Sequence, residues 1–206
     1  MGCSGFVKPA FRVLGVAECF RKSQARSVVA AVSYRRDRVI DGVYLTFFNV
    51  GGLDATEKII SLVRESGRKD FNVIMVNGCV LSWFNVLDLR KIHEGTGIPV
   101  MCLTYEESSG LERFIKEYFP GDTARMRMYL DLGERELVYV RAARSYVYVR
   151  YQGLTAEDVR KILDSTTLTG RVPEPLRTAQ TIARAVHSFL ESRFPEVLGT
   201  RFSQPA

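Results

Sequence analysis

The sequence predicts a single α/β domain with a mixed sheet that opens with three antiparallel strands and is covered by helices. The first 50 residues hold three apolar, β-rich runs with no helical pattern between them. After residue 50, helical spacings alternate with short apolar runs, as expected when helices connect parallel strands. The chain of 206 residues shows no internal repeat and no low-complexity linker, and it is long enough for one full core.

Three strands are predicted at the start of the chain, over residues 12–19, 27–34 and 38–50. A polar turn at residues 35–37 joins the second and third strands as a hairpin. Residues 20–26 are polar and basic and are interpreted as a loop, solvated by default but able to steer polyanions.

A helix is predicted from Asp54 to Glu65, ending near Gly67. Asp54 and Glu57 stand at the spacing of a capping box. Two interpretations of Asp54 stay open at this point: a helix N-cap and a metal ligand, which are compatible with each other.

The apolar run 71–76 is followed by Asn77 and Gly78 and does not alternate, which is typical of a parallel strand buried on both faces. In open α/β sheets, ligands bind at the carboxyl ends of such strands. Asn77 therefore stands where a catalytic carboxylate is often found, as a ligand, a relic or a plain turn residue.

The remaining elements follow by the same patterns. Asn85 is predicted to cap a helix that ends near Gly95. Further elements are a strand at 100–104, helices at 111–118 and from 155, a helical region at 123–130, a strand pair at 136–140 and 146–151, and a long helix from Pro175. Residues 1–10 and 199–206 are expected to be flexible ends of this single domain, 1–206.

Composition limits the class of protein more than its function. The formal net charge of +6 favours polyanion partners, though only weakly. The four cysteines, at positions 3, 19, 79 and 102, form no C-x-x-C pair, which argues against a zinc knuckle and favours reduced core cysteines. No apolar segment resembles a signal or a membrane span, so we expect a cytoplasmic protein with no membrane partner.

Three strands followed by alternating helices and strands is the element order of a ribonuclease-H-like fold. The chain also resembles an archaeal family related to endonuclease V, described as deoxyuridine endonucleases. The resembling segments are residues 12–15, 41–43, 52–59, 84–89, 96–100 and 170–177, the last of them part of a Pro-Glu-Pro-x-Arg-x-Ala motif. The resemblance implies strand cleavage near a deaminated base, by Mg²⁺ held among clustered carboxylates.

The chain departs from that family pattern at its charged positions. Ala17 and Asn77 stand where the resemblance implies carboxylates, Gly51 replaces the first acid of a turn, and Gln180 replaces a histidine. Replacing acids with neutral residues removes most of the negative field that holds Mg²⁺. The resemblance therefore implies that cleavage is ancestral and is weakened or lost here.

Candidate site residues remain at several positions. Asp54 and Glu18 are the surviving catalytic candidates, although Glu18 faces away from the side of Ala17 and is expected on the surface or in a loop. Asn77, Trp83 and Arg177 are candidates for binding DNA or RNA. A base could stack on Trp83, whereas Phe84 is assigned to the core.

Some candidates have alternatives. Arg177 could contact phosphate or pair with a local carboxylate, and His93 and His187 are expected to be structural or exposed.

Three hypotheses follow: a Mg²⁺-dependent endonuclease rearranged around Asp54, Glu18 or Asp41; a non-catalytic nucleic-acid-binding relative; and a protein-interaction scaffold. The oligomeric state is not predicted.

Overall fold

The computed structural model describes residues 10–201, which form nine strands and seven helices. The strands are β1 (Arg12–Cys19), β2 (Arg26–Arg35), β3 (Ile40–Asn49), β4 (Val73–Val76), β5 (Val80–Leu81), β6 (Asn85–Val86), β7 (Val100–Thr104), β8 (Glu136–Val140) and β9 (Ser145–Gln152). The helices are α1 (Ala55–Glu65), α2 (Leu89–Thr96), α3 (Glu112–Tyr118), α4 (Thr123–Asp131), α5 (Ala156–Thr166), α6 (Glu174–Arg193) and α7 (Pro195–Leu198).

Seven of these strands form one mixed sheet in the order β3-β2-β1-β4-β7-β9-β8. The pairs β1–β4 and β4–β7 are parallel, and the other neighbours are antiparallel. The predicted fold class, a mixed sheet with three leading antiparallel strands, is confirmed. The two parallel connections carry α1 and α2, as expected for crossover units.

Two hydrophobic layers cover the sheet, because alternate residues of each buried strand point to opposite faces. Leu14 and Val16 belong to the layer that contains α1 and α2, whereas Val13 belongs to the layer that contains α5. The long helix α6 also lies on the second face. Its close approach to β1 requires Gly15, because a Cβ atom there would lie 2.5 Å from the Pro175 carbonyl oxygen.

The structure corrects the prediction for Asn85. This residue does not cap the following helix but lies in β6, in a two-stranded hairpin with β5. The helix α2 begins later and is capped by Asp88, whose carboxylate accepts a hydrogen bond from the Lys91 backbone N–H at 2.9 Å. The sequence pattern missed the hairpin because two-residue strands are too short to show alternation.

The expectation of reduced cysteines is wrong for one pair. Cys79 and Cys102 are joined as a disulfide with their Cα atoms 5.7 Å apart. The bond links the segment after β4 to β7, at the end of the sheet where Asn77 lies. Cys19 is the only free cysteine among the described residues.

Removing this disulfide should lower the free energy of unfolding. The bond closes a loop with a sequence separation of 23 residues, and a loop of that size is worth about 3 kcal/mol through restriction of the unfolded chain. Denaturant unfolding of Cys79→Ala/Cys102→Ala measures the loss, with Cys19→Ala as the control that removes no bond. Equal stability of the double variant and the wild type would contradict this expectation.

The last described residues pack against the loop between β1 and β2. The Arg201 backbone N–H donates to the Ser23 carbonyl oxygen at 2.9 Å, and Thr200 forms a bridge with Gln24. The expectation of flexible ends otherwise falls on residues 1–9 and 202–206, which lie outside the described part of the chain. Within residues 10–201 no helix combines the length and the apolar character needed to cross a bilayer.

Candidate functional site

One end of the sheet gathers most of the candidate residues. β1, β4 and β7 run in the same direction, and β3 shares it because two antiparallel pairings separate β3 from β1. We call this end, which holds residues 17–19, 49–54 and 77–79, the carboxyl edge. The Asn77 backbone N–H donates to the Val16 carbonyl oxygen at 2.9 Å, which places Asn77 beside Ala17.

Glu18 is not a surface or loop residue, contrary to expectation. It lies in β1, and both of its carboxylate oxygens accept hydrogen bonds: Oε1 from the Ser82 backbone N–H at 2.6 Å, and Oε2 from Ser27 Oγ at 2.8 Å and from Ser82 Oγ. Burial raises the pKa of Glu18, and these hydrogen bonds offset that rise only in part. Glu18 therefore anchors the segment that carries Trp83.

The turn that Glu18 holds has an unusual backbone. Ser82, Trp83 and Phe84 have φ values of 40°, 57° and 65°, so three consecutive non-glycine residues adopt left-handed conformations. Each such residue costs on the order of 1 kcal/mol, so the surrounding contacts must hold the turn in place. One of them is the hydrogen bond from the Gly51 backbone N–H to the Ser82 carbonyl oxygen, at 2.6 Å.

Trp83 lies in an aromatic and cationic cluster. Its ring centroid lies 5.0 Å from that of Phe119 and 5.7 Å from that of Tyr118, and the Arg201 guanidinium lies 3.6 Å from its centroid. Lys22 Nζ lies 5.8 Å from the Tyr118 ring. Trp83 is half-buried, and its indole N–H has no hydrogen-bond partner in residues 10–201. Cations and a partly exposed ring stand together at the carboxyl edge.

Arg125 fixes the same region from the helix α4. Its guanidinium donates to the carbonyl oxygens of Gly51 at 2.8 Å and Gly52 at 2.9 Å, and also to that of Phe84. It pairs with Asp122 at 3.0 Å, and its Cζ lies 3.8 Å from the Phe119 ring centroid. Burial lowers the pKa of Arg125, although Asp122 acts in the opposite direction. These contacts show that Arg125 joins three loops at the carboxyl edge: the loop at Gly51 and Gly52, the turn at Phe84, and the loop that holds Phe119 and Asp122.

Asp54 occupies the N-cap position at the start of α1. Its side chain forms no capping hydrogen bond; the Ala55 N–H instead donates to Asn85 Oδ1 at 3.1 Å. The Asp54 carboxylate accepts from Asn85 Nδ2 at 2.7 Å and from Asn49 Nδ2 at 3.0 Å. Glu57 is not the partner of a capping box either, because it pairs with Lys91 at 2.5 Å. Asp54 is therefore the N-cap residue by position, as predicted, but its carboxylate accepts hydrogen bonds from the side-chain amides of Asn49 and Asn85 and none from the first turn of α1.

Asp41 lies at the opposite end of the sheet. It pairs with Arg12 at 2.9 Å and with Arg68 at 3.2 Å. Arg12 opens β1 and Glu18 lies six residues later on the same strand, so roughly 20 Å of extended strand separates them. Asp41 therefore cannot share a site with Glu18.

The pH dependence of stability should report on Asp41. Burial raises its pKa, but hydrogen bonds from Ser33, Arg12 and Arg68 outweigh burial and hold the pKa at about 2. A lowered carboxyl pKa contributes stability above the unfolded value of 3.8, and that stability is lost as the pH falls through about 2.

Asp41→Asn should therefore lose about 1–2 kcal/mol at neutral pH, after allowance for solvent screening, and much less near pH 2. Urea unfolding between pH 6 and pH 2 measures this convergence. Asp131→Asn, on the exposed side of α4, is the control. A constant difference across this range would contradict the assignment.

Asn77 borders a groove of about 920 Å³ at the carboxyl ends of β4 and β7. Its lining includes Thr104, Tyr105, Arg135, Tyr148 and Arg150. The Tyr105 hydroxyl is buried without a partner in the described range, and burial raises its pKa.

The other positions that depart from the family pattern are neutral. Ala17 is 1% exposed and packs against Val32 and Ala179, so its methyl group fills the space beneath α6. Gln180 follows Ala179 on that helix and is half-buried.

Arg177 pairs with a local carboxylate, which is one of the two roles predicted for it. Its guanidinium lies 3.2 Å from Glu174 and donates to the carbonyl oxygens of Val172 and Thr169. His187 is 4% exposed and contacts Gln24 at 2.7 Å, whereas His93 contacts the Ile98 carbonyl oxygen at 3.0 Å. Both histidines are structural, as expected.

Sequence reasoning missed Arg125, Ser82 and Arg201. Their partners are far away in sequence: Ser82 and Glu18 are 64 positions apart, and Arg125 and Gly51 are 74 apart. Arg125 lies on a short helix with other charged residues, so no local pattern distinguishes it. The one available signal was Ser82-Trp83-Phe84, a polar and aromatic run directly after a strand end.

The residues at the carboxyl edge do not fit a Mg²⁺ site. Mg²⁺ requires oxygen ligands in near-octahedral geometry, usually including carboxylates. The oxygens of Glu18 and Asp54 accept hydrogen bonds from protein donors. In the part of the chain that the structure describes, no group of three or more His, Cys, Asp or Glu residues could hold a metal ion.

Comparison with known proteins gives the chain its family. The endonuclease dU family profile matches residues 9–187. The chain belongs to the endonuclease dU family. Archaeal relatives include the UPF0215 protein of Pyrobaculum calidifontis, 30% identical over 181 residues, covering 87% of this chain and 99% of the relative. The UPF0215 protein of Thermococcus gammatolerans is 33% identical over 193 residues, covering 87% and 94%.

Solved structures share the fold of this endonuclease dU family member. A protein of unknown function from Archaeoglobus fulgidus has a TM-score of 0.74 and 26% identity, covering 85% of this chain and 98% of its own. Ciona intestinalis endonuclease V, solved with a 24mer DNA containing inosine, has a TM-score of 0.57 and 13% identity, covering 89% and 88%. The predicted ribonuclease-H-like fold and the resemblance to endonuclease V are confirmed.

Proposed function

We propose that this endonuclease dU family member binds nucleic acid containing deaminated bases at its carboxyl edge, and that metal-dependent strand cleavage there is weakened or lost. The observation that carries the proposal is the occupation of the surviving carboxylates. Glu18 and Asp54 hold loops in place through hydrogen bonds from Ser82, Ser27, Asn49 and Asn85. A carboxylate used in this way would have to release its donors before it could bind Mg²⁺.

The neutral positions support the same conclusion. Ala17 offers no ligand atom, and Asn77 and Gln180 offer only amide groups. Neutral oxygens attract this hard cation much less than carboxylates do. The inherited position therefore suits a ligand held by stacking and by protein cations better than one held through metal.

Cations and aromatic rings at the edge support nucleic-acid binding. Arg201 and Lys22 flank Trp83 and Tyr118. A flat ring beside a guanidinium suits a base and its phosphate, because bases stack on aromatic rings and phosphates attract cations. The net charge of +6 acts in the same direction. Endonuclease V of Ciona intestinalis, which shares the fold, was solved with inosine-containing DNA.

Fluorescence anisotropy with deoxyuridine- and inosine-containing oligonucleotides tests the proposal. We expect binding without added metal that weakens steeply with salt, because phosphate contacts release counterions. Trp83→Ala should weaken binding about ten-fold through the loss of stacking, whereas Trp83→Phe should retain most of it. Phe194→Ala, which removes an exposed ring at the end of α6, is the matched control.

The same oligonucleotides test catalysis. Incubation with Mg²⁺ or Mn²⁺ should leave them uncut or cut only slowly. Efficient cleavage that disappears in Asp54→Ala would contradict the proposal and support a rearranged active site.

A protein-interaction scaffold is the second candidate, favoured by the edge strand β3. Val43 and Leu45 are 45% and 53% exposed there, and the segment 42–49 carries no charged residue that would protect the edge from pairing. Wild-type sedimentation tests this candidate. Self-association that Leu45→Lys abolishes, together with no affinity for nucleic acid, would favour the scaffold.

A further inference from the structure

A second surface lies on the β8–β9 hairpin, away from Trp83. Leu137, Tyr139, Tyr146 and Tyr148 share one face of the hairpin, because Leu137 pairs with Tyr148 and Tyr139 pairs with Tyr146. Leu137, Tyr139 and Tyr146 are 51%, 44% and 54% exposed. We call these four residues the aromatic face. The opposite face of the hairpin carries Val138, Val140, Val147 and Val149, which are buried in the layer that contains α5.

The rings of the aromatic face stand close together. The centroids of Tyr139 and Tyr146 are 5.1 Å apart, with 59° between the ring planes. Tyr146 and Tyr148 are two residues apart along β9, which places their side chains about 7 Å apart on one face. Rings at this spacing on an open sheet can accept successive unstacked bases.

Two arginines, Arg135 and Arg150, border the aromatic face. The Arg135 guanidinium lies 4.4 Å from the Tyr148 ring centroid and is held by the carbonyl oxygens of Glu106 and Ser108. Arg150, on β9, donates to the Gly133 carbonyl oxygen at 2.9 Å. In residues 10–201 neither guanidinium lies within ion-pair distance of a carboxylate, although Glu112 interacts electrostatically with Arg150 and the groove lining also includes Glu106, Glu107 and Glu134. The two guanidinium groups are the cations that a phosphate beside the aromatic face could contact.

The aromatic face also adjoins the groove beside Asn77. Tyr148 pairs with Thr104 at the end of β7, and both line that groove with Arg135 and Arg150. A strand held at the carboxyl edge can therefore continue onto the hairpin without leaving the protein surface.

We infer that the aromatic face is a stacking platform for single-stranded nucleic acid, contacting unpaired bases next to the strand segment bound at the carboxyl edge. The inference rests on the proposed function and adds the class of partner: an unpaired strand rather than a duplex. Bases inside a duplex are already stacked on one another and cannot lie on tyrosine rings. Arg135 and Arg150 supply the phosphate contacts and the tyrosines supply the stacking.

The test compares labelled DNA and RNA single strands of about 12 nucleotides with a DNA duplex of the same sequence. We expect Tyr139→Ala/Tyr146→Ala to weaken single-strand binding about ten-fold or more while leaving duplex affinity unchanged. Tyr139→Phe/Tyr146→Phe should bind like the wild type, because the ring and not the hydroxyl carries the contact. The DNA and RNA arms show whether the 2′-hydroxyl matters.

Phe189→Ala is the matched control. Phe189 is 57% exposed on α6, across the sheet, and lies 5.7 Å from the Phe194 ring at 58°, much like Tyr146 beside Tyr139. It should not affect binding. Photo-crosslinking of a 5-iodouracil strand to Tyr146 in the wild type gives a readout that needs no substitution.

The outcomes separate the two proposals. Unchanged binding by the alanine double variant, equal losses for strand and duplex, or an equal loss in Phe189→Ala would overturn the platform. If Trp83→Ala weakens binding while the tyrosine variant does not, the platform is rejected and the carboxyl-edge proposal stands. If the wild type binds no nucleic acid, both are rejected.

Discussion

Replacing Arg125 with alanine is expected to lower the free energy of unfolding by about 3–5 kcal/mol. The residue is 4% exposed, and its guanidinium donates to the carbonyl oxygens of Gly51, Gly52 and Phe84. Without it, three partly buried carbonyl oxygens lose their donor and Asp122 loses its cation. The ring of Phe119 also loses a cation at 3.8 Å.

Guanidinium chloride unfolding measures this effect. Arg127→Ala is the matched control, because Arg127 lies on the same helix with an 85% exposed side chain and only a 4.0 Å pairing with Asp131. It should change the free energy of unfolding by less than about 0.5 kcal/mol. Arg125→Lys should recover only part of the lost stability, since an ammonium group cannot reproduce the planar, forked hydrogen-bond geometry of the guanidinium. A loss below about 1 kcal/mol in Arg125→Ala would show that the three loops hold together without it.

Replacing Glu18 with alanine should affect both stability and nucleic-acid binding. Three donors from Ser82 and Ser27 would lose their acceptor, at a cost of about 1–3 kcal/mol each if they stay buried. The left-handed turn would also lose its anchor, so Trp83 would leave its position against Arg201. We expect a net loss of about 3 kcal/mol in stability and an affinity for nucleic acid close to that of Trp83→Ala.

The pH dependence of Glu18→Gln tests the state of the carboxyl group. Because burial raises the pKa of Glu18, its contribution to stability is complete below the unfolded value of 4.5 and is lost as the pH rises through the folded value. The cost of Glu18→Gln relative to the wild type should therefore shrink above pH 4.5. Glu65→Gln, an exposed position on α1, should show no such trend. A cost that grows with pH would mean that the pKa is lowered instead.

The sequence predicts the sheet of this protein well because local patterns encode it. The runs in β1, β4 and β7 are apolar without alternation, and Gly15 and Pro175 mark the place where α6 meets β1. The same reasoning fails between Gly78 and Asp88, where the Asn85 side chain accepts a hydrogen bond from the first residue of α1 and does not cap α2. A hydrogen bond over 30 positions leaves no local trace.

The sequence predicts where Ala17 and Asn77 lie in the fold, but not which residues the nearby side chains contact. The apolar run that ends at Asn77 predicted the end of a parallel strand, and Ala17 lies beside Asn77 at the same end of the sheet. The partners of Glu18 and Asp54 could not be predicted, because strand alternation gives the face of a side chain and not the loop that returns to it. The use of Glu18 as an anchor for Ser82 changes its expected role from catalyst to support.

Isothermal titration of Mg²⁺ into the full chain tests the central claim most directly. Surviving carboxylates that hold loops, beside neutral residues at Ala17, Asn77 and Gln180, should give no measurable heat of binding at the carboxyl edge. The wild type and Asn77→Ala should then give the same flat titration. One clear binding event in the wild type that disappears in Asn77→Ala would contradict the account and support the hypothesis of a metal-dependent nuclease.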